Sequence, residues 1–139
     1  MDARPTAGYS TNSLVKKLGI KEGGVILALA APRDYASLLG QLPVGAKFAA
    51  RVGPTIDLVH LFVVRKADLR RQLTALRSKL RSDAVVWVSW PKRAARVPTD
   101  ITEDTIRDVA LPLGFVDIKV CAVSEVWSGL KLVVRKALR

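Results

Sequence analysis

GFVDIKVCAVSEVWSGLKLVVRKAL, residues 114–138, contains two apolar runs of strand length, joined by a short link around Ser124 and Glu125. Parallel strands need a crossover of a dozen or more residues, so a link this short permits only an antiparallel pair. In the second run Leu130 and Leu132 alternate with Lys131, which is typical of a half-exposed strand. The end of the chain therefore predicts an antiparallel strand pair.

Upstream of this pair, strands alternate with helices. Strands are predicted at residues 23–32, 47–52, 57–64 and 84–90, and helices at residues 13–20, 32–42, 66–81 and 102–113. The clearest helix, 66–81, carries one apolar stripe formed by Leu69, Leu73, Leu76 and Leu80. This order of elements predicts a three-layer, Rossmann-like α/β fold with an open sheet of about six strands. By analogy of element order it is the methyltransferase-like variant, mostly parallel with an antiparallel C-terminal strand.

The chain has 139 residues, half of them hydrophobic, which suits a single α/β domain over residues 1–139. The helical segment within residues 1–23 is expected to pack on the sheet. No apolar stretch approaches the roughly 20 residues that span a bilayer, and the N-terminus has no signal-peptide core. We therefore expect a soluble, cytoplasmic protein without membrane contact, and the sequence leaves its oligomeric state open.

The chain has one cysteine and one histidine, which limits its chemistry. A lone Cys121 excludes an internal disulfide and a cysteine-cluster metal site, and its apolar surroundings favour an inert thiol. His60 lies in the apolar run DLVHLFVV, where a core histidine is favoured over a metal ligand or a member of a serine-type triad. No metal site is predicted.

The ordinary nucleotide-cofactor site of this fold class needs glycines just after the first strand and an acidic residue ending the second. Here Gly23 and Gly24 precede the first strand, and Ala-Ala-Pro follows it. Pro32 also lacks an amide that could face an anion. Arg51 stands where the acid is expected, and it either favours a phosphate or is simply exposed. Usual binding of S-adenosylmethionine or NAD is not expected, and no cofactor is predicted.

Ligands of open α/β sheets bind beyond the carboxyl ends of the strands. That edge should gather residues 30–34, 51–54, 64–66 and 90–96. The last of these segments offers Lys92, Arg93 and Arg96 as charges for an anionic ligand, with Trp90 as a stacking or wall surface. Residues 90–96 are therefore the predicted ligand site, with Arg51 as a further candidate.

The segment PTDITED, residues 98–104, has a structural and a functional interpretation. Asp100 or Thr102 can cap the following helix, and Asp100 with Glu103 has capping-box spacing. The rival interpretation makes Asp100 and Glu103 an acid/base pair or magnesium ligands. Capping is favoured because it explains these residues without a substrate.

The net charge is +11, and residues 60–99 hold ten basic residues against two acidic ones. A basic half of a chain invites anionic partners such as nucleic acid or phosphorylated ligands, although a solvated helix face gives the same pattern. The candidate nucleic-acid residues are Arg70, Arg71, Arg77 and Arg81, together with the basic residues of the segment 92–96.

Three segments resemble a family of small uncharacterised bacterial proteins that share a domain of unknown function. The segments are GYSTNSLVKKLGI, WPK followed by PTDITED, and VDIKVCAVSEVWSGLKLVVRK, and together they cover nearly the whole chain. Thr11 departs from the glycine expected after Gly-Tyr-Ser. The resemblance implies no reaction. It implies a bacterial α/β protein and draws attention to Trp90, Pro91, Lys92, Pro98, Thr99, Asp100, Trp127, Ser128, Gly129 and Lys131.

Three hypotheses about function remain open. The first is a non-catalytic, methyltransferase-like domain whose basic edge binds an anionic ligand or partner. The second is a nucleic-acid-binding protein. The third is a divergent enzyme using Lys92 and Asp100. The missing cofactor features favour the first.

Overall fold

The computed structural model describes residues 13–139, which form one mixed sheet flanked by helices. The strands are β1 Val25–Leu29, β2 Lys47–Phe48, β3 Leu58–Phe62, β4 Val85–Pro91, β5 Phe115–Ala122 and β6 Trp127–Val134. The helices are α1 Leu14–Leu18, α2 Tyr35–Leu39, α3 Lys66–Lys79 and α4 Glu103–Ala110. The start of the predicted 1–23 segment, with Gly-Tyr-Ser and Thr11, lies outside the described residues.

The sheet has the order β2-β1-β3-β4-β6-β5. Neighbouring strands from β2 to β4 are parallel, whereas β6 is antiparallel to both β4 and β5. The predicted strand pair at the end of the chain is therefore confirmed. From β1 the chain first moves outward to β2 and then returns to the other side as β3, so the strand order reverses between β1 and β3. Ligand sites of open α/β sheets lie beyond the carboxyl ends of the strands at such a point.

Each face of the sheet is covered by a different pair of helices. On the α3–α4 face, Leu69 and Leu73 of α3 and Ile106 of α4 pack over Val59 and Val88. On the α1–α2 face, side chains from α1 and α2 pack over strand residues that include Ile26, Phe62 and Trp87. Trp87 and Trp90 point to opposite faces, as strand alternation predicts, and both are buried. The described part of the predicted 1–23 segment packs on the sheet, and the Trp87 indole donates to the Leu18 carbonyl at 2.9 Å.

Three predicted elements are wrong in extent, and the first is the strand predicted over residues 23–32, which is observed as β1 Val25–Leu29. The second strand was predicted over residues 47–52, but β2 comprises only Lys47–Phe48 because it is an edge strand that pairs with β1 alone. The second helix was predicted over residues 32–42, but α2 spans Tyr35–Leu39 and ends at Gly40, whose φ is 74°. Pro32 lies before this helix in a turn closed by Tyr35 N–H, so it does not occupy the first helical turn.

Within residues 13–139 no helix has the length and apolarity needed to span a membrane.

Candidate functional site

The predicted ligand segment forms a short loop at the carboxyl end of β4. We call residues 92–96 the basic loop. It is anchored to the start of β6, because the Lys92 N–H donates to the Val126 carbonyl at 2.7 Å. A single 3₁₀ turn, Arg93–Ala95, follows, and Arg96 has a left-handed φ of 56°. The loop therefore turns sharply away from the sheet, and its two arginines are exposed.

A cleft of about 500 Å³ lies between the basic loop and the start of α4, and we call it the loop cleft. Its lining includes Trp90, Arg93 and Arg96 from the predicted ligand set, facing Pro98, Thr99, Ile101, Thr102 and Glu103. Trp90 is 8% exposed, so it forms a wall and is not an open stacking platform. Lys92 does not line this cleft. Arg51 follows β2, which is separated from β4 by β1 and β3.

Of the two predicted caps of α4, the structure confirms Thr102 and not Asp100. Helix α4 is capped by Thr102, whose hydroxyl accepts from the Thr105 N–H, while the Thr105 hydroxyl accepts from the Thr102 N–H. The predicted Asp100–Glu103 capping box does not form. Asp100 instead accepts from the Lys66 N–H at 2.7 Å and so caps the start of α3. A carboxylate is favourable at that position because it satisfies an orphan amide at the positive end of the helix dipole.

The loop before α4 is thus tied to the turn after β3. Beside the Asp100 bond, the Thr99 hydroxyl donates to the Val64 carbonyl at 2.6 Å. The amide end of α3, where an external anion could otherwise bind, faces the protein's own carboxylate. Asp100 has a structural role that uses one of its carboxylate oxygens, and the acid–base hypothesis for Lys92 and Asp100 stays a prediction.

The one acid in the loop cleft, Glu103, shares the guanidinium of Arg107 with two other carboxylates. Arg107 pairs with Glu103, with Asp104 at 3.0 Å and with Asp117 at 2.9 Å. Hydrogen bonds to Asp117 and Glu103 raise the pKa of Arg107, and the same guanidinium lowers the pKa of Asp117. Among residues 13–139, Arg93 and Arg96 form no ion pair. The net charge offered by the cleft is therefore positive.

The arginines predicted to contact nucleic acid largely have partners inside the fold. Arg71 pairs with Asp68 at 2.9 Å, and Arg77 donates to the Leu113 carbonyl at 3.1 Å. Arg81 joins three groups: Asp57 at 2.8 Å, Asp83 at 2.9 Å and the Pro54 carbonyl at 2.8 Å. Arg70 is exposed, with no ion pair to any residue in the described range. Arg71, Arg77 and Arg81 thus have partners within the described residues, whereas Arg70 does not, and nucleic-acid binding by these four residues stays a prediction.

A smaller cleft of about 270 Å³ lies at the strand-order reversal, and we call it the switch-point cleft. Its lining includes Ala30 after β1, Phe62 of β3 and Trp127 of β6, with Asp68 and Arg71 of α3. The rings of Phe62 and Trp127 meet edge to face at 5.0 Å. Ala30 has a φ of 57°, a left-handed conformation that costs a non-glycine residue about 1–2 kcal/mol. The backbone thus takes a turn that glycine would favour, at a position that carries a methyl group.

Sequence reasoning missed a buried polar chain on the α1–α2 face. The Tyr35 hydroxyl lies 2.8 Å from His60 Nδ1, and His60 Nε2 lies 2.7 Å from the Ser89 hydroxyl. Burial lowers the pKa of His60 to about 3 and raises the pKa of Tyr35. His60 and Ser89 are 0% exposed, so this serine–histidine pair has no access to a substrate. His60 is a core histidine, as predicted.

No cluster of three or more histidine, cysteine or acidic side chains arranged to hold a metal ion occurs within residues 13–139.

No protein-family model matches the chain, and no curated protein matches it in sequence. The resemblance to the bacterial family therefore stays a prediction. Solved structures do match the fold. A putative type 11 methyltransferase from Sulfolobus solfataricus aligns with a TM-score of 0.64 at 12% identity, covering 88% of this chain and 90% of that one.

Two further structures are similar at comparably low identity. A SAM-dependent methyltransferase from Aquifex aeolicus has a TM-score of 0.63 at 13% identity, covering 87% of each chain. The B. subtilis tRNA methyltransferase TrmK has a TM-score of 0.55 at 11% identity, covering 91% of this chain and 67% of that one. At such identities the similarity shows the fold alone, and the predicted methyltransferase-like fold is confirmed.

The methyl-donor cofactor implied by this fold does not fit the residues present in the ordinary way. Ala30 places a Cβ on the left-handed turn after β1, and Pro32 removes an amide nearby. Arg51, not an acid, follows β2. The switch-point cleft is small, and its one acid, Asp68, is paired with Arg71. No step of a reaction is assigned to this cofactor.

Proposed function

We propose that this chain is a non-catalytic, methyltransferase-like α/β domain that binds a phosphorylated small molecule in the loop cleft. The observation that carries the proposal is the charge of that cleft. Arg93 and Arg96 line it without an ion partner in the described range, and the one acid of the lining, Glu103, is ion-paired with Arg107, so the two arginines outweigh it. Arginine suits a phosphoryl group because its guanidinium can donate two parallel hydrogen bonds to the phosphate oxygens.

The cleft has a place for the uncharged part of such a ligand as well. Trp90, Pro98 and Ile101 supply apolar wall, and Thr99 and Thr102 supply polar atoms at its rim. Its volume of about 500 Å³ falls within the range of roughly 300–1,000 Å³ typical of small-molecule sites. A nucleotide or a sugar phosphate has the matching combination of a compact organic part and an anionic group.

The test is thermal unfolding and calorimetry with ATP, AMP, glucose 6-phosphate and S-adenosylmethionine. At least one of the phosphorylated compounds is expected to raise the Tm, and the Arg93→Ala/Arg96→Ala variant should lose that shift. Arg70→Ala is the matched control, because Arg70 is an exposed arginine outside the cleft. The proposal fails if none of the phosphorylated compounds binds, or if the double variant binds as the wild type does. Methyl transfer from S-adenosylmethionine by the purified chain would overturn the non-catalytic role.

A second candidate is binding of RNA at the same basic edge. Two observations favour it. The net charge is +11, and one structural neighbour is a tRNA methyltransferase. Labelled tRNA should then bind with an affinity that falls steeply with salt, because each neutralised phosphate releases counterions. Arg93→Ala/Arg96→Ala should flatten that salt dependence, with Lys136→Ala, an exposed residue outside the predicted nucleic-acid set, as the comparison. Weak binding that does not respond to salt would exclude this candidate.

A further inference from the structure

A third cleft, of about 390 Å³, opens at the opposite edge of the sheet, where β1, β3 and β4 begin. We call it the amino-edge cleft. Its floor includes Leu18, Ile26 and Leu58, and its rim includes Lys21 and Lys131. It lies at the other end of the strands from the loop cleft, so a ligand there would be independent of the proposed function.

Lysines cluster beside this cleft on two neighbouring strands and a loop. Lys131 of β6 pairs directly with Lys119 of β5 across the antiparallel ladder. Like charges placed opposite each other in this way are destabilising. Lys21, in the loop between α1 and β1, adds a third charge close enough to act on Lys131. Burial, followed by repulsion from Lys119 and Lys21, lowers the pKa of Lys131.

The two acids that line the cleft, Asp57 and Glu22, form no ion pair with these lysines within residues 13–139. Asp57 accepts from the Val25 N–H at 2.9 Å and from Arg81 at 2.8 Å, so its charge is already paired. Glu22 is exposed and forms no ion pair with the three lysines within residues 13–139. The fold therefore places the half-buried Lys131 within electrostatic reach of Lys119 and Lys21.

We propose that the amino-edge cleft is a second anion site, in which Lys21 and Lys131 from its lining, with Lys119 from the neighbouring strand beside Lys131, bind a phosphate or diphosphate group. Three flexible ammonium groups on separate segments surround a compact, multiply charged anion better than they would a planar carboxylate, because lysine acts as a point charge with rotatable donors. A bound anion would relieve the repulsion that the free protein bears.

Titration calorimetry with inorganic pyrophosphate tests this site. The wild type is expected to bind, and Lys131→Met and Lys21→Met should each weaken binding about tenfold or more, as loss of a charge-assisted contact predicts. Lys136→Met removes an exposed lysine from the C-terminal turn and should leave the affinity unchanged. Lys21→Met changes an exposed residue, so it tests the site even if Lys131→Met alters packing.

A variant of the loop cleft distinguishes binding at that cleft from binding at the lysines. Arg93→Ala/Arg96→Ala should leave the pyrophosphate titration of the lysine site intact. The inference is overturned if pyrophosphate does not bind, if the lysine variants bind as the wild type does, or if only the arginine variant loses binding. In the last case pyrophosphate occupies the loop cleft, which supports the proposed function and removes the second site.

Discussion

The two faces of the sheet bury different kinds of side chain. The α3–α4 face is covered by a 14-residue helix with a leucine stripe and by α4, and its core cluster is entirely apolar. The α1–α2 face is covered by two helices of five residues each and holds the buried chain of Tyr35, His60 and Ser89. A long amphipathic helix supplies a continuous apolar cover. Short helices supply less apolar cover, and the polar groups buried beneath them must form hydrogen bonds with one another.

The largest expected difference between the faces comes from removing leucine side chains. Leu73→Ala should lower the free energy of unfolding by about 2–5 kcal/mol, because Leu73 is 0% exposed and packs within the apolar cluster. Leu39→Ala in α2 should cost less, since a five-residue helix can shift to fill the space. Urea unfolding followed by circular dichroism measures both. Equal losses would show that the short helices are packed as rigidly as α3.

Replacing one member of the buried polar chain should lower the free energy of unfolding more than replacing all three members together. His60→Leu leaves the Tyr35 and Ser89 hydroxyls without their partner and should destabilise by about 1–3 kcal/mol. Tyr35→Phe/His60→Leu/Ser89→Ala replaces all three polar groups and should recover part of that loss. Denaturant unfolding of the single and triple variants tests this. If the losses simply add, the three residues do not act as one network.

The same chain makes stability depend on pH. The pKa of His60 is about 3 in the folded protein against an ordinary value of 6.5, so the unfolded chain binds a proton that the folded chain excludes. The stabilisation is complete above pH 6.5 and is lost as the pH falls toward 3. Over that window the free energy of unfolding should drop by about 1.4 kcal/mol per pH unit.

His60→Leu should flatten this dependence between pH 6.5 and 5, where few carboxylates take up protons. Denaturant unfolding at a series of pH values measures the slope for both proteins. A variant as sensitive to acid as the wild type in this window would show that His60 is not the group responsible. Asp57 and Asp117, whose pKa values are lowered by their arginine partners, reduce stability only at lower pH, as the carboxylates of the unfolded chain take up protons.

The features that sequence could predict are those set by local pattern. The leucine stripe of α3 and the short link before β6 were sufficient for a helix and an antiparallel pair. The extent of β2 was not predictable, because an edge strand ends where its single neighbour stops pairing. Trp90, Arg93 and Arg96 were predicted together because they are close in sequence and follow one strand.

Long-range bonds explain what sequence missed. Asp100 caps a helix whose first amide, at Lys66, is 34 residues away, and no local spacing indicates that bond. Tyr35 and His60 are 25 residues apart on different elements. The pairing of Lys119 with Lys131 depends on an irregularity between Asp117 and Lys119 that shifts the register of β5. The length of the link before β6 does not fix that register.

Removing the charge of Lys131 should have the smallest effect on stability, and it should stabilise the protein where the other variants destabilise it. Lys131→Met removes a half-buried charge from the α1–α2 face and the repulsion from Lys119, so it should raise the free energy of unfolding by about 0.2–1 kcal/mol in anion-free buffer. Lys136→Met should change it little. In saturating pyrophosphate the order should reverse, because the wild type binds the anion more tightly and so gains more stability from it than the variant does. A destabilised Lys131→Met variant in anion-free buffer would mean that the aliphatic stem of Lys131 packs better than methionine does. The packing of that stem on the α1–α2 face would then outweigh the cost of the half-buried charge.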